Sequence, residues 1–339
     1  MTAATSTAPA QTSPQERRVT RFGLQIPSFT LADVPDAELF ERIAATATAA
    51  EDAGFDSLWV MDHLYQIGGV GREDEPMLEA YTLLGALAAR TKRVRLGTMV
   101  TGVTYRNPAL LAKIVTTLDL ISSGRAILGI GAAWNETEHA GYGFDFPSVR
   151  ERLDRLEEAL QICRAMFTEE RPSFQGTYYR IDRALNRPRP VHPGGPPIMI
   201  GGGGEKRTLR FVARYGDACN VFGDPAGVRH KIDVLAGHCQ TEGRDLADIT
   251  KTCLLSVVIA ATQAEFAAAK LRIMAERGMT EEAFDARFVC GTVEQVAERL
   301  AEYFRVGADG ILINMVDAYD LDAVRLAAQA MQQAGAVSG

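Results

Sequence analysis

Eight short apolar runs, each followed by a segment with helical spacing, recur along the chain from Arg21 onward. RFGLQIP (21–27), SLWVMDH (57–63), VRLGTMVTG (94–102) and AILGIG (126–131) come first. PIMIGG (197–202), ACNVF (218–222), TCLLSVVIA (252–260) and ILINM (311–315) follow. The runs are nearly continuous rather than alternating, as in strands covered on both faces of a parallel sheet. Helical spacing covers residues 37–53, closed by Gly54, then 78–90, 148–167, 225–240, 292–305 and the stretch after Asp320. Another helix begins near Asn107-Pro108, where proline suits a first turn, and stops at Gly124; one more follows the glycines after Ile200. Eight βα units in 339 residues predict a (β/α)8 TIM barrel, with a doubly wound open sheet as the alternative.

Two stretches break the rhythm: residues 168–196, with the hairpin-like SFQGTYYRI, and residues 262–290. Excursions of this length are expected as insertions at the C-terminal face, over the barrel mouth. No composition shift marks a boundary, so residues 19–339 are expected to form one domain. The opening MTAATSTAPAQTSPQERR (1–18) has no signal-peptide core and reads as a disordered tail. A net charge of −7 provides no basic field for nucleic acid or an anionic membrane. No apolar stretch approaches the ~20 residues that span a bilayer. Cys163, Cys219, Cys239, Cys253 and Cys290 are scattered and odd in number, which argues against a disulfide framework or a zinc site. They read as small buried hydrophobes in a cytoplasmic protein.

In a barrel of this kind the active face is built from the strands' C-terminal ends and the loops after them. Gln25, Asp62, His63, Thr101, Gly131, Trp134, Asn135, Asn220, Phe222 and Asn314 fall at those ends. Gly201, Gly202, Gly203 and Gly204 separate an apolar strand from a helix that opens with Lys206 and Arg207. Bare backbone facing a helix N-terminus, with positive charge beside it, suits a phosphate; the other reading is a flexible connection. His63 is of the residue type that can carry a proton, or it can fix the turn by hydrogen bonding. Gly129-Ile130-Gly131 fails as a dinucleotide fingerprint because Trp134 stands where the third glycine belongs. Glu136, Glu138 and His139 have weak metal-ligand spacing and read as solvated helix residues, so no metal is expected.

The order and spacing of LWVMDH, RLGTMVTGVTYRNPALLAK, ISSGRAILGIGAAWNETE and IMIGGGG resemble the bacterial luciferase-like monooxygenase superfamily. Within it the chain resembles the coenzyme F420-dependent oxidoreductases, from Arg21 to the last helix. The resemblance implies a barrel that binds a deazaflavin or flavin at its mouth, as a homodimer. It implies that Asp62 and His63 are the strand-two pair, with the histidine near the reactive ring. It implies that Met99 and Val100 form a strand-three bulge, often with a non-prolyl cis peptide, under the ring, next to Thr101 and Gly131. Asn135 matches a residue at the ring edge, and Gly201, Gly202, Gly203 and Gly204 match the phosphate loop. Gln25, Tyr65, Trp134 and Phe222 are expected around the substrate. Two positions depart from the F420-dependent sugar-phosphate dehydrogenases: their proton-donating glutamate is Ala132 here, and their tryptophan after the histidine is Ile67.

The resulting expectation is an F420-dependent oxidoreductase that moves a hydride between the deazaflavin C5 and a small organic substrate, with His63 handling the proton. The alternatives are a monooxygenase using reduced FMN, and a protein that binds a flavin without turning anything over.

Overall fold

Strands β1 (Phe22–Ile26), β2 (Ser57–Val60), β3 (Arg95–Thr98), β4 (Ala126–Gly131), β5 (Ile198–Gly201), β6 (Ala218–Val221), β7 (Thr250–Ile259) and β8 (Gly310–Met315) pair in parallel, each with the next. β8 pairs with both β7 and β1, which closes the ring and excludes the open-sheet alternative. This is the (β/α)8 barrel that the alternation predicts. The computed structural model describes residues 19–31 and 34–337; the segment expected as a tail lies outside them.

Local chemistry sets the helix ends as the sequence suggests. Asn107 Oδ1 accepts from Ala109 N at 2.9 Å ahead of Pro108–Ile121, and the chain leaves that helix through Gly124 at φ +88°. Gly54, at φ +103°, ends Asp36–Ala53 in the same way. The helices cover the outside of the strands and seal one continuous apolar layer. The barrel interior is filled by Trp59, Met99, Ile127, Met199 and Leu312. The Trp59 indole N–H is satisfied by Ser57 Oγ at 2.8 Å, so the ring can be fully buried. The interior below the mouth is therefore a packed plug.

The first excursion carries the hairpin that SFQGTYYRI suggests, and the second is more ordered than its sequence suggests. The first contains an antiparallel hairpin of Phe174–Gln175 with Arg180–Ile181, whose turn donates three backbone N–H groups to the Glu158 carboxylate. The second folds into helices Gln263–Arg277 and Glu281–Arg287 and a strand, Phe288–Gly291, that pairs with the outer half of β7.

β3 is interrupted where the mouth begins. Between the pairs Gly97–Ile127 and Thr101–Ile130 the first chain advances four residues and β4 only three, so one residue is extra and the strand bulges. The Met99-Val100 peptide inside this bulge is cis. The bulge explains three glycines. A Cβ on Gly129 would lie 1.9 Å from the Thr98 carbonyl oxygen, and Cβ atoms on Gly131 and Gly201 would each lie 2.9 Å from the Val100 methyls. Gly129→Ala is expected to cost about 1–3 kcal/mol, towards the upper end because the clash is with backbone. Denaturant titration of the cofactor-free protein checks this, and unchanged stability would contradict it.

Candidate cofactor and active site

A cavity of about 290 Å³ opens at the C-terminal mouth. β2 ends in it with Asp62 and His63, and the strand-three bulge supplies Met99, Val100 and Thr101. The chain after β4 adds Gly131, Ala132 and Trp134; β5 and its loop add Gly201, Gly202 and Thr208. Asn220, Phe222 and Leu254 complete the far wall. Residues expected at one site from five strand ends do meet there, joined by Leu254 of β7, which the sequence did not single out.

Other expected residues lie elsewhere. Gln25 is buried under the cavity, where its amide donates to Met99 O at 3.3 Å and accepts from Asn314 at 3.3 Å. Both ends of that amide are engaged by the barrel, so Gln25 supports the bulge. Tyr65 and Asn135 line an adjoining cavity of about 200 Å³, which shares Trp134 with the first. Gly203 and Gly204 continue the loop beyond Gly202. Arg207 turns away to Asp154, with Nη2 2.6 Å from Oδ1, so its charge serves a neighbouring helix rather than the glycine loop.

Asp62 accepts hydrogen bonds from both Arg106 terminal nitrogens, at 2.6 and 3.0 Å, and Arg106 also reaches Glu79 at 2.5 Å. Burial pushes the Asp62 carboxyl upward while Arg106 pulls it back. The bidentate pairing spends this carboxylate on holding the mouth together.

Glu138 and His139 are fully buried, which corrects their reading as solvated residues. The Glu138 carboxylate accepts from His63 Nδ1 at 2.8 Å, from the Tyr105 hydroxyl and from Leu64 N at 2.7 Å. His139 links the Asn135 carbonyl to Thr104 Oγ1, at 2.6 Å each, and so pins the turn that carries Trp134. No local pattern announces Glu138: it lies 75 residues from the histidine it touches.

The cavity has the features a flavin-like group needs. Met99, Val100 and Leu254 give apolar walls, while the helix Thr208–Tyr215 begins beside the glycine loop. Asn220 donates to Thr252 Oγ1 at 3.0 Å, whose own hydroxyl is given to Cys219 O at 2.8 Å. That chain fixes the amide's orientation and leaves Asn220 Oδ1 as a buried acceptor without a protein partner among the described residues. A ligand hydroxyl or N–H satisfies such an atom.

Over 302 residues the chain is 31% identical to a Mycobacterium tuberculosis protein named F420-dependent hydroxymycolic acid dehydrogenase, covering 88% of this chain and 78% of that one. It is 40% identical over 179 residues to an F420-dependent glucose-6-phosphate dehydrogenase of Kineococcus radiotolerans, covering 52% of this chain and 50% of the other. The chain thus spans about half the length of that relative. Among solved structures, an F420-dependent secondary alcohol dehydrogenase with an F420–acetone adduct superposes with a TM-score of 0.74 at 21% identity, covering 90% of this chain and 97% of that one. An EDTA monooxygenase from Chelativorans sp. BNC1 gives 0.79 at 18% identity, covering 94% of each. At these identities the superpositions establish the fold alone. The family match runs over residues 20–277, and the chain belongs to the luciferase-like monooxygenases.

Proposed function

We propose that this mouth cavity binds a deazaflavin of the coenzyme F420 type and that the protein is an oxidoreductase acting on an alcohol–carbonyl couple. The observation that carries the reading is the meeting of His63, the Val100 bulge and the glycine loop around one apolar cavity of about 290 Å³. The F420-dependent names of the relatives support it. When bound, the deazaflavin supplies hydride exchange at its ring C5. The protein's own residues do the rest. Val100 and Met99 form the surface on which the ring rests, and Gly203, Gly204 and the start of Thr208–Tyr215 receive the phosphate. Gly202 is less suited to that task, since its N–H already bonds to Asn220 O at 3.1 Å.

The proton falls to His63. Ala132 offers only a methyl group where the sugar-phosphate dehydrogenases place an acid, Asp62 is paired with Arg106, and Tyr105 donates to Glu138. His63 is thus the titratable lining group left to face a substrate; it gives a proton during reduction and takes one during oxidation. The same proposal takes the enzyme as a cytoplasmic homodimer, on the strength of the sequence resemblance. Among the described residues no helix is long and apolar enough to cross a membrane.

Titration of the purified protein with oxidised F420 and with FMN, followed by Trp134 fluorescence, tests the cofactor. Trp134 is 60% exposed at the cavity rim, so it reports on occupancy. Saturable quenching by F420 at lower concentration than FMN is expected. Tight FMN binding without F420 binding would replace this reading with that of a reduced-FMN monooxygenase.

A further inference from the structure

We propose that Glu138 is the positioning residue of His63, fixing the neutral imidazole as the Nδ1–H tautomer and presenting a bare Nε2 to the substrate. This rests on the reading of His63 as proton carrier. The geometry behind it is independent of any cofactor.

An ionised carboxylate only accepts hydrogen bonds. Here Oε1 faces His63 Nδ1 at 2.8 Å and the Tyr105 hydroxyl, while Oε2 faces the backbone N–H groups of Leu64 at 2.7 Å and Tyr65 at 3.4 Å. Burial alone would raise the Glu138 carboxyl, but the bonds from His63, Tyr105 and Leu64 outweigh it and hold the group below the usual carboxylate range. Every donor around Glu138 thus favours the charged form. Nδ1 must then carry the hydrogen, and the lone pair of a neutral ring sits on Nε2.

The same carboxylate grips the backbone immediately after His63, so ring and chain are oriented by one group. Trp134 closes the other side, edge-on with its ring centroid 5.4 Å from that of the imidazole. Asp62, the neighbouring carboxylate on β2, is held by Arg106 and does not compete for the ring.

Proton traffic follows from the tautomer. During alcohol oxidation the hydroxyl proton would pass to Nε2 as C=O forms, and a deazaflavin held in the cavity would supply the acceptor for the C–H electron pair, as hydride. The imidazolium keeps its Nδ1–H on Glu138, which stabilises the positive charge. During reduction the same Nε2–H returns the proton to the new alkoxide. With the opposite tautomer, Nε2 would already carry a hydrogen and could accept none.

The test is ¹⁵N NMR of the imidazole in the cofactor-free protein, with the His63 signals assigned against His63→Asn. In the wild-type protein the neutral ring should show protonated Nδ1 and bare Nε2. In Glu138→Gln the one remaining oxygen is held by the Leu64 and Tyr65 N–H groups, which turns the amide NH₂ toward Nδ1. The ring should then switch to Nε2–H, and kcat should fall by about 10²-fold, the low end for acid–base groups, with F420 affinity little changed. A wild-type ring already in the Nε2–H form overturns the proposal and needs no variant to be seen. So does a folded Glu138→Gln protein whose tautomer is unaltered. A tautomer switch in a protein that does not bind F420 upholds Glu138 as the group that fixes the ring and refutes the proposed cofactor.

Discussion

Replacing His63 by alanine is expected to lower kcat by about 10²–10⁴-fold, the range for losing a general acid–base group. Affinity for the deazaflavin should change far less. The asymmetry follows from how the cavity is built. The surface proposed for the ring is Met99, Val100 and Leu254, and the loop proposed for the phosphate follows β5; neither includes the imidazole. The side chain of His63 is only 12% exposed, its Nδ1 edge is occupied by Glu138, and the residue lines the cavity. The one acid lining the cavity among the described residues, Asp62, is tied to Arg106, and the position after Gly131 is Ala132. Steady-state rates on any substrate the wild-type protein turns over, with parallel cofactor titrations, check the result. A variant with full turnover and lost cofactor binding would make His63 a binding residue and move the proton transfer elsewhere.

The second large effect concerns the glycine loop. Gly203→Val is expected to weaken cofactor binding by about 10²–10⁴-fold, corresponding to the loss of roughly two charge-assisted N–H bonds to phosphate at about 1.5–3 kcal/mol each. The cofactor-free protein should melt nearly where the wild type does. A Cβ at Gly203 meets only Lys231 Cε, at 3.7 Å, so the folded chain has room for a branched side chain there. The proposed phosphate site takes in that room. Gly201→Val is the contrasting variant, because its Cβ would lie 2.9 Å from the Val100 methyls and should destabilise the protein itself. Isothermal titration and thermal melts separate the two. If Gly203→Val unfolds the protein and does not selectively lose ligand, the loop is a structural turn.

The barrel was legible in the sequence because a strand buried on both faces must be apolar along its whole length. Helix ends such as Gly54, Gly124 and Asn107-Pro108 carry their signals locally. The bulge at Met99 and Val100, by contrast, came from the family resemblance. The reasons for individual glycines were only half visible: Gly131 and Gly201 are bare because Val100 fills their side-chain space, a contact between strands that no local pattern records. Partners of the ionisable residues were hidden for the same reason. Asp62 pairs with Arg106 across 44 residues, and His63 with Glu138 across 75. Both partners come from segments after other strands, and the barrel's closure brings them to one mouth. The helix Gln263–Arg277 did have a local signal, the Thr262–Glu265 capping box, within a stretch expected as an insertion over the mouth.

A crystal structure of the protein grown with oxidised F420 is expected to show the deazaflavin ring against Val100, its phosphate on the backbone from Gly203 to Thr208, a ligand donor on Asn220 Oδ1, and His63 Nε2 facing the space above the ring. A ring bound outside this cavity, or a phosphate held away from the glycine loop, would contradict the proposed site.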